Sequence, residues 1–416
     1  MKVVIIGGGG REHALSSAIS LSPILKELII CPGNPGIETV GNCIDIDFTK
    51  TDKTIEIIKR INPDLVIIGP EFPLVDGIVD KLESLKIKTF GPRKNAAKIE
   101  GSKIFAREFC DKYNIPQPSW KRFIDIKKAT NFAIELDGYC VVKANGLAAG
   151  KGVFVCNNID ESSEAISEIL KGKFGKEGNE ILIEERISGP EISVFAIINE
   201  EKVFWLASAQ DYKRVFDGDK GPNTGGMGAI SPSPYEDEKL KLNIMHKILE
   251  PLAVNMKKEG NPYKGILYAG LMLTEDGPKV IEFNCRFGDP EAQAILPRLN
   301  SDLLSIICLS LNKKEFEELK WANDVSVNVV LASKGYPGLF SKGSKIKLPN
   351  LDKYQNCFIY HSGTSINENK ELISDGGRVL SVTGLGSNFI NARNNAYKII
   401  KKIKCSNLFF REDIGK

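Results

Sequence analysis

The segment VIEFNCRFGDPEAQ, residues 280–293, gives the clearest indication of the kind of domain that this chain builds. It begins as a strand in which Glu282 and Asn284 are two residues apart, so both side chains point to one face. Two oxygen ligands on one face, with phosphate oxygens completing the shell, suit Mg²⁺. Phe283, Cys285 and Phe287 anchor this strand in the core, so a solvent-exposed charged turn that binds nothing is the weaker alternative. The segment therefore predicts a cation site followed by a charged turn with Arg286, Asp289 and Glu291.

A loop of small residues lies upstream of that strand, in KANGLAAGKGV at 143–153. Lys143 ends one apolar strand and Lys151 precedes another. A loop this rich in glycine and alanine can close over a triphosphate with its N–H groups facing the oxygens, while Lys143 neutralises charge. It is not a Walker A sequence, because it leads into a strand rather than a helix. A hairpin loop that binds nothing is the alternative.

The next apolar strand, in ILIEERISGPEISV at 181–194, ends in two glutamates. After Glu184 and Glu185 a turn leads to Glu191 on the following strand. Backbone groups at a strand end can hold an adenine, and a carboxylate can bind ribose hydroxyls. Paired glutamates at a strand end are most often solvated, but their position after the small-residue loop favours a nucleotide site.

The first hundred residues alternate short apolar strands with amphipathic helices. The strands VVII (3–6), LIIC (28–31) and LVII (65–68) are followed by the turns GGGG (7–10), PGNPG (32–36) and GPE (69–71). This alternation predicts a parallel sheet with helices on both faces. Ligands of such sheets bind beyond the carboxyl ends of the strands, where all three turns fall.

The first of these turns does not fit the dinucleotide-binding fingerprint. Glu12 replaces the third glycine of G-x-G-x-x-G, and no acidic residue ends the second strand. A nicotinamide site is therefore disfavoured. The turn instead predicts an anion-binding helix N-terminus for a phosphorylated substrate, with a tight turn that binds nothing as the alternative.

Three domains are predicted, in keeping with the length of 416 residues. Residues 1–100 form an N-terminal α/β domain that binds substrate. Residues 101–315 form a central domain, with a strand–helix–strand block at about 119–186, long strands at 191–209 and a helix at 236–259. Residues 316–416 form an α+β domain, with strands near 325–332, 357–361 and 378–384 and a helix at 388–403.

The composition is that of an ordinary globular protein, with 42% hydrophobic and 26% charged residues, which excludes a disordered chain. The 56 basic and 53 acidic side chains leave a net charge of +3 without a basic cluster, so nucleic acid is not an expected partner. No apolar run reaches the ~18 residues of a membrane span. A strand that begins at Val3 leaves no room for a signal peptide.

The nine cysteines include no C-x-x-C pair, and the three histidines are not paired at ligand spacing. This pattern predicts reduced, buried thiols and argues against a zinc site or a disulfide framework. We therefore expect a cytoplasmic protein that binds small molecules and neither nucleic acid nor a membrane, as a monomer or a weak dimer.

Taken in order along essentially the whole chain, these motifs resemble the ATP-grasp superfamily and, within it, the glycinamide ribonucleotide synthetase family of purine biosynthesis. The matching segments include GGGGREHAL (7–15), GPEFPLVDG (69–77), KANGLAAGKGV (143–153), GPNTGGMGAISP (221–232) and EFNCRFGDPEAQ (282–293). The combination of RFGDPE with GPNTGGMGA is highly specific, whereas many ATP-grasp enzymes share the glycine loop.

The resemblance implies a Rossmann-like, pre-ATP-grasp N-terminal domain, a central ATP-grasp domain with a mobile lid at about 119–186, and a C-terminal α+β domain. It implies ATP-dependent ligation of glycine to 5-phosphoribosylamine through glycyl phosphate, which gives glycinamide ribonucleotide, ADP and phosphate. ATP and Mg²⁺ or Mn²⁺ are the implied cofactors. Lys143 and Arg286 would be catalytic, and Glu282 and Asn284 would bind the metal.

The other implied contacts fall into an ATP group and a substrate group. ATP would be bound by Lys103, Lys143, Gly146, Ala149, Gly150, Lys151, Gly152, Glu184, Glu185, Ile187 and Glu191. Glycine and 5-phosphoribosylamine would be surrounded by Gly8, Gly10, Arg11, Glu12, Asn34, Gly69, Pro70, Glu71, Lys213, Arg214, Asn223, Gly225, Gly226, Arg286, Asp289 and Glu291.

Two positions depart from the family pattern. Asn145 stands where the family commonly has aspartate, and the apolar strand YAGLML (268–273) supplies no carboxylate before Glu282, which predicts a sparser metal site. Another ATP-grasp ligase that joins a carboxylate to an amine is the main alternative, and it would need an acceptor loop unlike GPNTGGMGA. A nucleotide-binding sensor would be expected to lack the pair Glu282 and Asn284, and a dehydrogenase is the weakest interpretation.

Overall fold

The N-terminal region alternates strands and helices around a parallel sheet. The structure, a computed structural model, describes residues 1–148, 152–312, 314 and 318–416. The elements of this region are β1 (Lys2–Gly7), α1 (Gly10–Ser20), β2 (Glu27–Pro32), a 3₁₀ turn (Ile37–Thr39), β3 (Asn42–Cys43), α2 (Thr51–Ile61), β4 (Leu65–Ile68), α3 (Glu71–Asp76), α4 (Ile78–Ser84), β5 (Thr89–Phe90) and α5 (Lys94–Gly101).

The five strands pair in parallel in the order β3-β2-β1-β4-β5, which confirms the predicted parallel sheet. Along β1, Val4 and Ile6 belong to one core, and Val3 and Ile5 to another. Because both faces of the strand are covered, the strand is apolar throughout.

A separate four-stranded sheet, here called the lid (residues 120–185), follows α6 (Lys103–Lys112). Its elements are β6 (Trp120–Phe123), α7 (Ile126–Glu135), β7 (Cys140–Ala144), β8 (Val153–Val155), α8 (Ile159–Glu168), a π-helical turn (Ile169–Lys173), a 3₁₀ turn (Gly175–Gly178) and β9 (Ile181–Glu185). The strands are antiparallel in the order β6-β9-β7-β8. The lid has a hydrophobic core of its own, which includes Ala133, Val142 and Ile183.

The rest of the chain is organised around one large antiparallel sheet. Its elements are β10 (Glu191–Asn199), β11 (Lys202–Asp211), β12 (Arg214–Phe216), β13 (Lys220–Asn223), β14 (Gly228–Ser231), α9 (Glu238–Ile244), a π-helical turn (Met245–Leu249), α10 (Glu250–Lys258), β15 (Lys264–Thr274), β16 (Gly277–Asn284), α11 (Glu291–Ile295), a 3₁₀ turn (Leu296–Arg298), α12 (Leu303–Leu311), β17 (Val325–Ser333), β18 (Cys357–His361), β19 (Thr364–Ile366), β20 (Leu372–Ser374), β21 (Arg378–Gly386), α13 (Phe389–Ile400) and β22 (Leu408–Phe409).

The main path of this sheet is β16-β15-β10-β11-β14-β17-β21-β18, and β22 pairs with β17. The hairpins β12–β13 and β19–β20 are separate two-stranded sheets. Ile230 of β14 lies opposite Val327 of β17, so the sheet continues from the central region into the C-terminal region. The two regions therefore share a sheet, which the sequence does not indicate.

The long strands expected at 191–209 are β10 and β11, which pair with each other and turn back after Asn199. One segment that the sequence predicts as a single element is divided. The helix expected at 236–259 contains a π-helical turn between α9 and α10. Within the described ranges, no helix combines the length and apolar character needed to cross a membrane.

The N-terminal and C-terminal regions meet through two buried histidines. The backbone N–H of His361 donates to His13 Nδ1 at 2.9 Å, and Asn34 Nδ2 donates to the carbonyl oxygen of His361 at 2.9 Å. Burial lowers the pKa of His13 to about 3 and that of His361 to about 4. Both rings are therefore neutral at pH 7, and His13 can accept this hydrogen bond.

Candidate active site

A cavity of about 430 Å³ lies where the N-terminal region, the lid and β16 meet. The predicted site residues that line it are Arg11, Glu71, Lys103, Lys143, Gly152, Glu184, Lys213, Asn223, Gly225, Glu282, Asn284, Arg286, Asp289 and Glu291. The segments 143–153 and 280–293, which are far apart in the sequence, therefore contribute to one site.

Glu184, near the end of β9, is the centre of a buried ion-pair network. Its carboxylate accepts from Arg107 Nε at 2.8 Å and Nη2 at 3.0 Å, and Lys143 Nζ lies 2.8 Å from it. Burial alone would raise the pKa of Glu184, but Lys143 and Arg107 hold it below its usual range. The side chain is thus already occupied by the protein's own cations. Backbone groups at this strand end are better candidates to bind an adenine.

Two lysines face the cavity beside this network. Lys143 Nζ also donates to the carbonyl oxygen of Ile281 at 3.0 Å, and Lys103 Nζ donates to that of Gly146 at 2.8 Å. An ammonium has three donors, more than these contacts use, so both lysines can also bind an anion. Burial, and then the charge of Lys143, lowers the pKa of Lys103 to about 8. A bound phosphate would favour the charged form of Lys103.

Asn145, where the sequence departs from the family pattern, connects the end of β7 to the start of α6. Its Oδ1 accepts from Ser102 Oγ at 3.0 Å and from the backbone N–H of Ile104 at 3.0 Å. Its carbonyl oxygen accepts from the backbone N–H of Lys103 at 2.9 Å. A neutral amide oxygen is sufficient for these contacts, so the missing charge does not weaken the position of Lys103.

Glu282 and Asn284 both line the cavity from β16. Burial alone would raise the pKa of Glu282, but Lys213, and then Lys143, hold it at about 2. An ionised carboxylate and an amide oxygen have the chemistry that Mg²⁺ and Mn²⁺ require. No group of three His, Cys, Asp or Glu in the described part of the chain could hold a metal. Two oxygen ligands leave most of the coordination shell of such an ion to phosphate oxygens and water, so the pair fits a cation that binds together with a phosphate ligand.

Arg286 is held between two glutamates. Its Nε donates to Glu71 Oε2 at 3.2 Å, and its Nη2 lies 3.0 Å from Glu100 Oε1. The other oxygen of Glu100 accepts from the backbone N–H of Cys285 at 2.6 Å. Burial raises the pKa of Glu100 to about 7, although Arg286 opposes this shift. These contacts fix the guanidinium at the cavity wall.

A second cluster of polar side chains surrounds Lys213, whose Nζ lies 3.4 Å from Glu282 Oε1. Glu291 Oε1 accepts from Ser193 Oγ at 3.1 Å. Burial, and then the charge of Glu291, raises the pKa of Asp211 well above its usual range. A positively charged ligand would relieve this repulsion, so this part of the cavity suits an amino group.

The start of α1 is partly occupied by a carboxylate of the chain itself. Glu12 is buried, and its Oε2 accepts from the backbone N–H of Gly9 at 2.7 Å. Arg11 Nη1 donates to the carbonyl oxygen of Gly69 at 3.0 Å and lines the cavity. A phosphate at this helix start would meet Glu12, so the predicted anion site is less open than the sequence indicates. Arg11 is the better candidate to bind it.

Several predicted site residues lie outside the lining of this cavity. Asn34 Nδ2 donates to the carbonyl oxygen of Gly8 at 2.8 Å and also to that of His361. Arg214 lines a second cleft, of about 990 Å³, between the lid and the C-terminal region. The others are Gly8, Gly10, Glu12, Gly69, Pro70, Gly146, Glu185, Ile187, Glu191 and Gly226. The predicted contacts Ala149, Gly150 and Lys151 lie outside the described residues.

Four charged residues of the cavity were not singled out from the sequence: Glu100, Arg107, Asp211 and Arg378. Glu100 and Arg107 lie on α5 and α6 and are buried. A charged residue on the apolar face of a helix, such as Arg107 beside Ile104, is a signal that could have identified them.

Family models of phosphoribosylglycinamide synthetase match most of the chain. The model of the N domain matches residues 1–100, that of the ATP-grasp (A) domain matches 101–292, and that of the C domain matches 326–416. The phosphoribosylamine–glycine ligase of Caldanaerobacter subterraneus subsp. tengcongensis is 45% identical over 417 residues, which cover 100% of this chain and 99% of that protein.

Solved structures support the same relationship. The crystal structure of the phosphoribosylamine–glycine ligase of Thermotoga maritima matches with a TM-score of 0.86 and 30% identity, over 99% of this chain and 100% of that chain. The biotin carboxylase domain of the Hydrogenobacter thermophilus 2-oxoglutarate carboxylase, in complex with MgADP, matches with a TM-score of 0.74 over 98% of this chain and 91% of that chain. At 14% identity this second match shows a common fold alone.

Proposed function

The chain belongs to the phosphoribosylglycinamide synthetase family, and on that premise we propose that it joins glycine to 5-phosphoribosylamine in an ATP-dependent reaction. The products are glycinamide ribonucleotide, ADP and phosphate. One observation carries the proposal: a single cavity brings together Lys143, Glu282 and Arg286. These are a cation for phosphates, a metal ligand, and a cation for a carboxylate.

The reaction needs ATP because a carboxylate is a poor electrophile. First, a carboxylate oxygen of glycine attacks the γ-phosphorus of ATP. The new O–P bond forms as the bond to the bridging oxygen breaks, and ADP leaves with that electron pair. The amine of 5-phosphoribosylamine then attacks the carbonyl carbon of glycyl phosphate. The C–N bond forms, the C–O bond to phosphate breaks, and the amine releases a proton.

Lys103 and Lys143 would hold the phosphates of ATP and neutralise their charge. Because backbone carbonyl oxygens hold both ammonium groups at the cavity, little reorganisation is needed when the nucleotide binds. Removing one preorganised electrostatic group of this kind typically costs a factor of about 10²–10³ in rate.

Glu282 and Asn284 would hold Mg²⁺ or Mn²⁺ against the phosphates. When bound, the ion draws charge from the phosphate oxygens and so assists the transfer of the γ-phosphoryl group. Glu282 is ready to bind it without losing a proton, since its pKa is about 2. Arg286, clamped by Glu71 and Glu100, would attract the glycine carboxylate to the nucleotide and stabilise the acyl phosphate.

The lid would close over the bound nucleotide. Leu147 and Ala148 of the small-residue loop line the cavity, and the lid has its own core, so it can move as a unit. Amide hydrogen exchange around these residues should slow when ATP and Mg²⁺ are added. Unchanged exchange at saturating nucleotide would contradict lid closure.

The reaction is tested by following ADP formation with freshly prepared 5-phosphoribosylamine. ADP should form in a stoichiometric reaction only when glycine, 5-phosphoribosylamine and ATP are all present. ADP formation that requires another amine or carboxylate would indicate a different ATP-grasp ligase.

We also propose that the protein acts in the cytoplasm as a monomer or a weak dimer, and sedimentation at several concentrations would test this oligomeric state.

A further inference from the structure

The amide of Asn284 has two different ends, and only its oxygen can bind a cation. Its inner end faces two acceptors, Glu100 Oε1 at 2.8 Å and the carbonyl oxygen of Phe283 at 3.3 Å. Hydrogen bonding therefore fixes the amide with Nδ2 directed inward. Oδ1 is the end left for the cavity that Asn284 lines.

Glu100 is held in place by two neighbours of Asn284. The backbone N–H of Cys285 donates to its Oε2 at 2.6 Å, and Arg286 Nη2 lies 3.0 Å from its Oε1. The side chain of Glu100 is only 4% exposed. Donors from three consecutive residues, 284–286, thus converge on one carboxylate supplied by α5. The two oxygens of Glu100 provide enough acceptor sites for all three donors at once.

We propose that Glu100 is a positioning residue for the cation site, which keeps the oxygen of Asn284 directed into the cavity. The site has few protein ligands, so an amide that turned its NH₂ group toward the ion would remove one of the two. Partners behind a metal ligand commonly orient it in this way. The inference rests on the proposed function only in taking Asn284 as a ligand of the cation that accompanies the nucleotide.

The first test is Mn²⁺ binding in the presence of ADP, without glycine or 5-phosphoribosylamine. Glu100→Gln keeps the shape of the side chain, but its NH₂ group must oppose one of the three donors. Affinity for Mn²⁺ should fall about 10-fold or more. Glu83→Gln is the control, because Glu83 also accepts from an arginine, Arg93 Nε at 2.6 Å, but does not line the cavity. This control should retain Mn²⁺ affinity within about twofold, well below that effect.

Asn284→Asp provides a second and independent arm. Opposite Glu100, the introduced carboxylate meets like charge, so Mn²⁺ affinity should fall even though a stronger ligand has been added. In the double variant, which combines Asn284→Asp with Glu100→Gln, the NH₂ group introduced at position 100 can donate to the carboxylate introduced at position 284. Its affinity for Mn²⁺ should therefore be higher than that of either single variant. Strictly additive effects would show that Glu100 does not act through Asn284 and would overturn the proposal.

The outcomes also separate this inference from the proposed function. Wild-type protein that fails to bind Mn²⁺ with ADP would contradict the ATP-grasp activity itself. Wild-type binding together with unchanged binding by Glu100→Gln would overturn only the positioning role. If Glu100→Gln has no thermal unfolding transition, the comparison of Asn284→Asp with the double variant still decides, because only the proposal predicts tighter binding by the double variant.

Discussion

Replacing Arg107 by methionine should destabilise the central region strongly. The side chain is 4% exposed, and its donors reach two regions of the fold. Nε and Nη2 bind Glu184 in the lid, while Nη1 and Nη2 bind the carbonyl oxygens of Val280 and Ile281 in β16 at 2.8 and 2.9 Å. Arg107→Met leaves all of these buried acceptors without this partner.

The size of the effect follows from these contacts. Breaking a buried ion pair by removing one partner costs about 3–5 kcal/mol. Lys143 still neutralises Glu184 in the variant, so we expect the lower end, about 3 kcal/mol. For a unit the size of the central region, at about 150–250 residues, a change of 1 kcal/mol in the free energy of unfolding shifts the melting temperature by about 2–4 °C. The expected decrease is therefore about 6–12 °C.

The assay is thermal unfolding of the nucleotide-free protein, followed by calorimetry. Arg122→Met is the matched control, because Arg122 forms a more exposed ion pair with Glu180 in the same lid. Exposed pairs contribute about 0–1 kcal/mol, so this variant should melt within about 3 °C of the wild type. Equal melting temperatures for the two variants would refute the claim that the buried network stabilises the fold.

Three further predictions concern titration and the cation site. Affinity for MgADP should fall as the pH rises through about 8, because the pKa of Lys103 is about 8 and only its ammonium form attracts phosphate. Lys103→Arg should remove this pH dependence, because a guanidinium stays charged. Glu282→Gln should lower the ligation rate on the order of 10²-fold and raise the Mg²⁺ requirement, and near wild-type turnover at low Mg²⁺ would contradict this role. The contribution of His13 and His361 to the free energy of unfolding in urea should be fully present above pH 6.5 and should fall below it. Their pKa values drop from 6.5 to about 3 and about 4 on folding, so below pH 6.5 the unfolded chain binds more protons than the folded one. Each histidine changes the free energy of unfolding by up to about 1.4 kcal/mol per pH unit. An unchanged urea midpoint between pH 7 and 5 would refute this prediction.

The features that could be predicted from the sequence depend on local pattern. Apolar runs such as VVII and LVII predict a doubly covered parallel sheet because each strand must be apolar on both faces. The two-residue spacing of Glu282 and Asn284 predicts a shared face because strand periodicity is two. Motif order along the chain then carries the family resemblance, since it combines several specific segments.

The features that could not be predicted depend on partners distant in sequence. Glu184 resembles a solvated glutamate, and only the fold brings Arg107 against its carboxylate. Glu100 lies in an ordinary amphipathic helix, and its role depends on the approach of residues 284–286 from β16. The occupation of the α1 start by Glu12 depends on backbone geometry that the glycine run alone does not specify.

The sheet that continues from β14 to β17 has a consequence for how the chain folds during synthesis. Until β17 leaves the ribosome, one edge of β14 has unpaired N–H and C=O groups, which can pair with other chains. A fragment that ends before residue 326, where the C-domain match begins, would keep this edge open permanently. We expect such a fragment to aggregate rather than to bind nucleotide as an independent module. The segments that sequence comparison separates are therefore joined at this edge by backbone pairing between β14 and β17.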